Sequence, residues 1–381
     1  MHRVRDKVSQ IWSMIQGCLF PSLEEEVGPL TETHRKVVRV LELVRIEEFV
    51  PSYRGVAHRP ATDRGAMARA FVVKAVMNLA TTRALLDRLE SDPALRRLCG
   101  WESASSIPSE AKFSRAFGEF AQTGVVGRVH EAVVVEHLGD EIVGHISRDA
   151  TAIVGREKPV KQQGKKQERP KRKRGRPRKG EVVPPPEPTR LERQTGMTLA
   201  QMLADLPKPC DIGCKRNSKN SVEFWVGYKL HLDVADGGIP VSAILSSASV
   251  HDSQAALPLA LETSRRVTNL YDLMDSAYDS DLIRQYSKGL GHVPLIDHNF
   301  KQDAAGKAEQ GAERRRVALL HFSVPEDERF KERSGSERAN ARLKDEFGGR
   351  FVRVRGHAKV LTHLMFGILA LTADQLLRLV A

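Results

Sequence analysis

Cysteine is scarce. The 381 residues hold only Cys18, Cys99, Cys210 and Cys214, too few for a disulfide-built scaffold and in keeping with a reducing cytoplasm. Long apolar runs are also missing. The longest late one, Val360–Ala373, is about 14 residues and contains His363, short of the ~20 that a bilayer span needs, so no membrane partner is expected. The N-terminus opens on His2, Arg3, Arg5, Asp6 and Lys7 rather than an apolar segment, which argues against a secretory leader. The chain has no P-loop, no dinucleotide-binding glycine fingerprint and no serine-hydrolase elbow. What is left, 41% hydrophobic and 28% charged, is a soluble globular chain of roughly two domains.

Charge of one sign is lacking almost everywhere. The net charge is +12, yet Arg156–Gly180 alone holds 13 Lys/Arg against 2 Glu, a net +11. The rest of the fold is therefore nearly neutral and carries one concentrated basic tract. Such a block repels itself and cannot be buried, so a solvated, mobile arm is expected. Its natural partner is a polyanion, most simply nucleic acid.

The first ~137 residues read as helical. Met67, Phe71, Val72, Val76 and Leu79 recur at helical spacing, and Leu85, Leu86 and Leu89 follow. Pro93–Cys99 predicts a short helix stopped by Gly100, and Ser109 a cap before Phe113, Phe117 and Phe120. From about Glu141 the pattern changes. Ile142–Ser147 predicts a short strand ending at Arg148-Asp149. Phe224–Val234 alternates, and Asp236-Gly237-Gly238 leads into Ile239–Leu245 as a hairpin. A helix over Gln254–Arg266, strands at Leu270–Met274 and Val293–Ile296, and helices near Lys331–Glu346 and Val360–Val380 complete the chain. This order predicts a helical domain over 1–137 and a mixed α/β domain over 138–381, with a basic, partly disordered insertion at 155–222.

Two aspartates, Asp149 and Asp275, end predicted central strands, where ligands gather in open α/β sheets. Either alone is more often a turn former. A third element is the segment from Phe330 to Lys344. If helical, it puts Arg333, Glu337, Asn340 and Lys344 on one stripe, with Phe330 a turn earlier and Leu343 and Phe347 facing a core. A solvated i,i+4 salt-bridged stripe accounts for the same residues.

These residues resemble the bacterial insertion-sequence transposases with a DDE catalytic domain of RNase H-like fold. The family's C-terminal Tyr-Arg-Glu-Lys signature stands here as Phe330, Arg333, Glu337 and Lys344, with Phe in place of Tyr. Asp275-Ser276-Ala277-Tyr278 is similar to the family's motif around the second acid, and Arg148-Asp149-Ala150-Thr151 carries the first. Asn217-Ser218-Lys219, Gly227–His231, Ser249–Gln254, Ile296–Asn299, Glu346-Phe347-Gly348 and Thr81–Leu85 extend the likeness over most of the chain. The resemblance implies a DNA transposase that cleaves and joins strands at element ends. Asp149, Asp275 and Glu337 would be its catalytic residues and metal ligands, holding two Mg²⁺ ions for which Mn²⁺ can substitute. It implies DNA contacts by Phe330, Arg333 and Lys344. The expected partners are terminal inverted repeats and target DNA, bound by a homodimer, in a cytoplasmic, nucleoid-associated setting. A non-catalytic DNA-binding protein and a plain metal-dependent nuclease of the same fold are the alternatives.

Weaker signals remain. Within the arm, Lys171, Lys173, Arg174 and Arg176 are candidate DNA contacts, and Arg174-Gly175-Arg176-Pro177 resembles an AT-hook core suited to a narrow minor groove. A nonspecific phosphate-binding tail fits equally well. Cys210 and Cys214 with His231 could begin a zinc site but lack a second ligand pair. His251-Asp252 is better read as a turn than as a catalytic dyad, and Trp225 as sheet surface or core.

Overall fold

The computed structural model describes residues 2–51, 63–160, 187–216, 221–300, 304–320 and 322–380. Among the described residues, the N-terminal region is helical through Leu138. Side-chain caps set several starts: Asp63 accepts from the Ala66 amide, Thr81 from Ala84 and Asp92 from Leu95, at 3.0–3.1 Å. The helix expected from Met67 accordingly begins at Arg64 and runs to Val76. Pro93–Cys99 ends at Gly100, whose φ of 105° is cheap only without a Cβ. Ser109 occupies the N-cap of Glu110–Thr123, although its side chain makes no capping bond.

Six strands form one mixed sheet: β1 (Ile142–Val154), β2 (Asp211–Arg216), β3 (Val222–Ala235), β4 (Ile239–Ser247), β5 (Thr268–Met274) and β6 (Val293–Ile296). β1, β5 and β6 are parallel neighbours, and β3 runs antiparallel to β1, β2 and β4. Gly227 of β3 bridges Val154 of β1 and Asp211 of β2, and a Cβ there would collide with the Ile153 carbonyl. This is the RNase H-like arrangement expected from the sequence.

Two strand readings need correction. β1 does not stop at Ser147 but continues to Val154, because β3 pairs with it along Ile146–Val154. The charges that seemed to end it are accommodated: Arg148 donates to both oxygens of Asp233, its cross-strand partner, at 2.8 and 2.7 Å. The 155–222 insertion is not all appendage. It contributes β2 and the helices Arg190–Gln194 and Leu199–Asp205, whose Met202 packs with Leu257, Met274 and Tyr278. The basic run at 161–186 lies outside the described residues.

The C-terminal helix, His357–Arg378, has 22 residues rather than the roughly 14 of its apolar run, and by composition is long and apolar enough to cross a membrane. Its most apolar window is 83% buried inside the protein. Phe366 sits 5.5 Å from Phe71 and 6.2 Å from Phe117, ring centre to ring centre. His130 Nε2 meets Pro240 O at 3.1 Å and Thr372 Oγ1 at 3.2 Å. The helical region, the sheet and this helix thus share one apolar core.

Candidate active site

The site is built on one face of β1. Alternation along the strand puts Ser147, Asp149 and Thr151 on that face. The helix Ser334–Glu346 lies across them. Ser147 Oγ meets Ser336 Oγ at 2.7 Å, Asn340 Nδ2 donates to Asp149 Oδ2 at 3.0 Å, and Lys344 Nζ donates to Thr151 Oγ1 at 2.5 Å. Two strand residues advance about 6.6 Å and four helix residues about 6 Å, so the two periods stay in step over three contacts. On the helix's other side, Ala339 and Leu343 are buried, and Gly367 of the C-terminal helix lies so close that a Cβ there would collide with the Phe347 carbonyl.

The second acid arrives through sheet register. Arg148 pairs with Met274, the last residue of β5, so Asp275 follows beside Asp149. Asp149 is therefore mid-strand in β1, not at its end, and sits where β5 stops pairing. Asp275 does terminate its strand, and its Oδ1 accepts from the Ala277 amide at 2.9 Å. Burial pushes the Asp149 carboxyl up to about 6, the Asp275 and Asp252 charges adding to it while the Ala150 amide and Arg333 oppose. Asp275 is raised too, by burial and then by Asp252 and Asp297.

Glu337 stands apart from this pair. Its half-exposed carboxylate accepts from Arg333 Nη2 at 2.6 Å. Arg333 closes the 3₁₀ turn Lys331–Arg333, which joins this helix to Pro325–Phe330, and its guanidinium lies 5.8 Å from the Phe330 ring centre. Among the described residues, no three His, Cys, Asp or Glu side chains are gathered closely enough to hold a metal ion. The donor chemistry nevertheless fits one: Asp149 and Asp275 are hard oxygen donors, and the charge of Asp275 helps raise the proton affinity of Asp149, which a divalent cation would relieve.

Other candidates go elsewhere. Lys171, Lys173, Arg174 and Arg176, like Asn217-Ser218-Lys219, lie outside the described residues. Cys210 points its thiol at the Glu157 carbonyl, 3.7 Å away, Cys214 is exposed, and His231 pairs with Ser246 Oγ at 2.8 Å. Trp225 donates to the Tyr228 carbonyl at 3.0 Å and covers Gly213. Asp252 is no partner of His251; Lys229 Nζ holds it at 2.8 Å. Sequence reading passed over two features. Asn340 was on the stripe without a role, and the Arg148–Asp233 pair needed the strand register.

The fold is a domain of RNase H-like architecture, with two aspartates side by side where β5 ends. Residues 207–373 match the family model described as Transposase DDE domain, and residues 22–119 match the one described as Transposase domain (DUF772). No curated protein and no solved structure matches the chain. The chain belongs to the insertion-sequence DDE transposases: it is a DNA transposase, of a family that binds DNA and works with divalent metal ions. Asp275 and Glu337 fall inside the matched span, whereas Asp149 lies between the two matches, upstream of the insertion.

Proposed function

We propose that the protein cleaves and rejoins DNA at the ends of a mobile element, with Asp149, Asp275 and Glu337 as the carboxylates of a two-Mg²⁺ centre that also accepts Mn²⁺. The observation that carries this reading is the β1–β5 register, which sets two half-buried aspartates side by side under the Asn340–Lys344 face of the helix. When bound, such ions supply charge relief at phosphorus and an activated oxygen nucleophile.

The chain's own residues orient the reactants. Asn340 fixes one oxygen of Asp149, and the Ala277 amide fixes one of Asp275. Arg333 presents a planar fork matched to a phosphate, and Lys344 a point charge three turns on. An incoming phosphate competes with Glu337 for Arg333. Once Arg333 has exchanged carboxylate for phosphate, Glu337 is free to turn toward the two aspartates, so the third carboxylate joins only when DNA is in place. Phe330 buttresses Arg333 from the preceding turn. The 1–137 helical region reads the element ends, and Lys171, Lys173, Arg174 and Arg176 add backbone contacts. The protein works as a homodimer pairing two ends, at the nucleoid in the cytoplasm.

The test is incubation of the full chain with DNA bearing the terminal inverted repeats that flank its coding region, in Mg²⁺. The reading expects cleavage at the repeat boundary and joining of the released 3′ end to a second DNA. Cleavage without end preference or joining would reduce the protein to a plain nuclease.

A further inference from the structure

The segment that follows the docked helix builds a row of cations. Gly349 and Arg350 close the helix by donating their amides to the Leu343 and Lys344 carbonyls, at 2.9 and 3.2 Å. From there the side chains alternate as in a strand. Val352 and Val354 pack on the core, while Phe351, Arg353 and Arg355 face solvent. The Arg353 guanidinium lies 6.0 Å from the Phe351 ring centre, much as Arg333 lies against Phe330.

This segment is fastened to the exit of β1. Arg156, itself exposed, donates from Nη1 to the Arg353 carbonyl at 3.2 Å, and the Gly356 amide donates to Glu157 Oε1 at 2.7 Å. The same Glu157 oxygen accepts from the Tyr228 hydroxyl at 2.7 Å. Arg156 also opens the basic run Arg156–Gly180, so the concentrated charge of the sequence begins beside this row.

The charge here is uncompensated. The acids nearby in the chain are engaged: Asp345 by Arg350, Glu346 by Arg342, and Glu157 by its two donors. Among the described residues, Arg156, Arg353 and Arg355 form no ion pair. Arginines kept for stability alone would be paired or packed. Unpaired ones displayed from a core-anchored segment suit a phosphate backbone. The row starts behind Lys344, which is bonded to Thr151, and Arg156 lies seven residues beyond Asp149 along β1 and its exit. At ~3.3 Å per residue that is about 20 Å from the acids, or about six base pairs of duplex.

We propose that Arg156, Arg353 and Arg355 form a further DNA-holding surface, which grips the backbone of double-stranded DNA about six base pairs from the acids without reading its sequence. The inference rests on the family's DNA binding and is independent of the metal centre.

The experiment is a binding titration of the full-length protein in EDTA at several salt concentrations. One duplex carries the element end, and the other is of unrelated sequence. Wild type is compared with the double variant Arg353→Gln, Arg355→Gln and with a control, Arg265→Gln, Lys288→Gln. The control removes the same charge from exposed positions on helices that pack against the opposite face of the sheet. The double variant should lose about 1.8 from the slope of log affinity against log salt, about 0.9 per contact. The loss should be equal on both duplexes, with the melt near wild type and the control keeping the wild-type slope. Should the double variant melt early, each single substitution carries a loss of about 0.9. A wild-type slope in the folded variants, an equal loss in the control, or a loss confined to the element end would overturn the surface. A wild type that binds neither duplex would bring down the DNA-binding reading itself, and this inference with it.

Discussion

The stripe from Arg333 to Lys344 has two unlike ends. At the C-terminal end, Asn340 and Lys344 are bonded to Asp149 and Thr151 of β1, and Leu343 anchors the helix behind them. At the N-terminal end, Arg333 and Glu337 are bonded to each other across one turn, partly in solvent. A pair of that kind contributes only about 0.2–0.5 kcal/mol, so a phosphate can displace it readily. In the mechanism we propose, one end of the helix positions an acid in advance and the other holds its acid in reserve. The same four residues thus satisfy both the salt-bridge and the catalytic reading of the stripe.

The largest expected effect comes from the acids. Asp149→Asn, Asp275→Asn and Glu337→Gln should each lower cleavage of an end-bearing DNA on the order of 10³-fold or more, with end binding nearly intact in a mobility-shift assay. Retention of strong Mg²⁺-dependent cleavage by any one would remove that residue from the centre. Next comes Arg333. Arg333→Ala should cost about 10²-fold in strand transfer from a pre-cleaved end yet move the melt by less than about 0.5 kcal/mol, and Arg333→Lys should not restore the two-pronged contact. Normal transfer in both variants would make the unlike ends irrelevant to chemistry.

The docked end should behave in the opposite way. Asn340→Ala removes the donor to a half-buried carboxylate, so it should cost about 1 kcal/mol of stability, read in urea unfolding, besides slowing cleavage. A stability loss no larger than that of Arg333→Ala would erase the contrast between the two ends.

Acid should loosen the docked end as well. His363 Nε2 meets the Gly348 carbonyl just beyond the helix at 3.0 Å, and burial lowers its pKa to about 4. His231 is likewise lowered to about 4 and His130 to about 3, both chiefly by burial. The unfolded chain takes up these protons near pH 6.5, while the folded one does not until about 3–4. Stability is therefore full above pH 6.5 and falls as pH drops toward 4, by about 1.4 kcal/mol per pH unit for each histidine. Melts between pH 7.5 and 4.5 should show this, with His363→Gln giving a shallower slope. An unchanged slope would mean that His363 is protonated in the fold.

What could be read from sequence follows the range of the interactions. The Arg333–Lys344 stripe obeys a local period, and the β3–β4 hairpin is announced by Asp236-Gly237-Gly238, whose two glycines take φ of 77° and 74°. The full length of β1 was hidden because Arg148 looked like an end until its distant partner Asp233 was in view. β2 was missed because Asp211–Arg216 has little apolar alternation and is recruited by β3.

The most direct measurement of the difference between the two ends is Mn²⁺ affinity of Glu337→Gln against wild type, once without DNA and once with a saturating element end, with Asp149→Asn alongside. Without DNA, Glu337 is engaged with Arg333, so Glu337→Gln should bind Mn²⁺ within about twofold of wild type. With DNA bound, the same substitution should weaken Mn²⁺ about tenfold or more, whereas Asp149→Asn should weaken it in both states. Equal weakening of Glu337→Gln with and without DNA, or none in either state, would contradict the account.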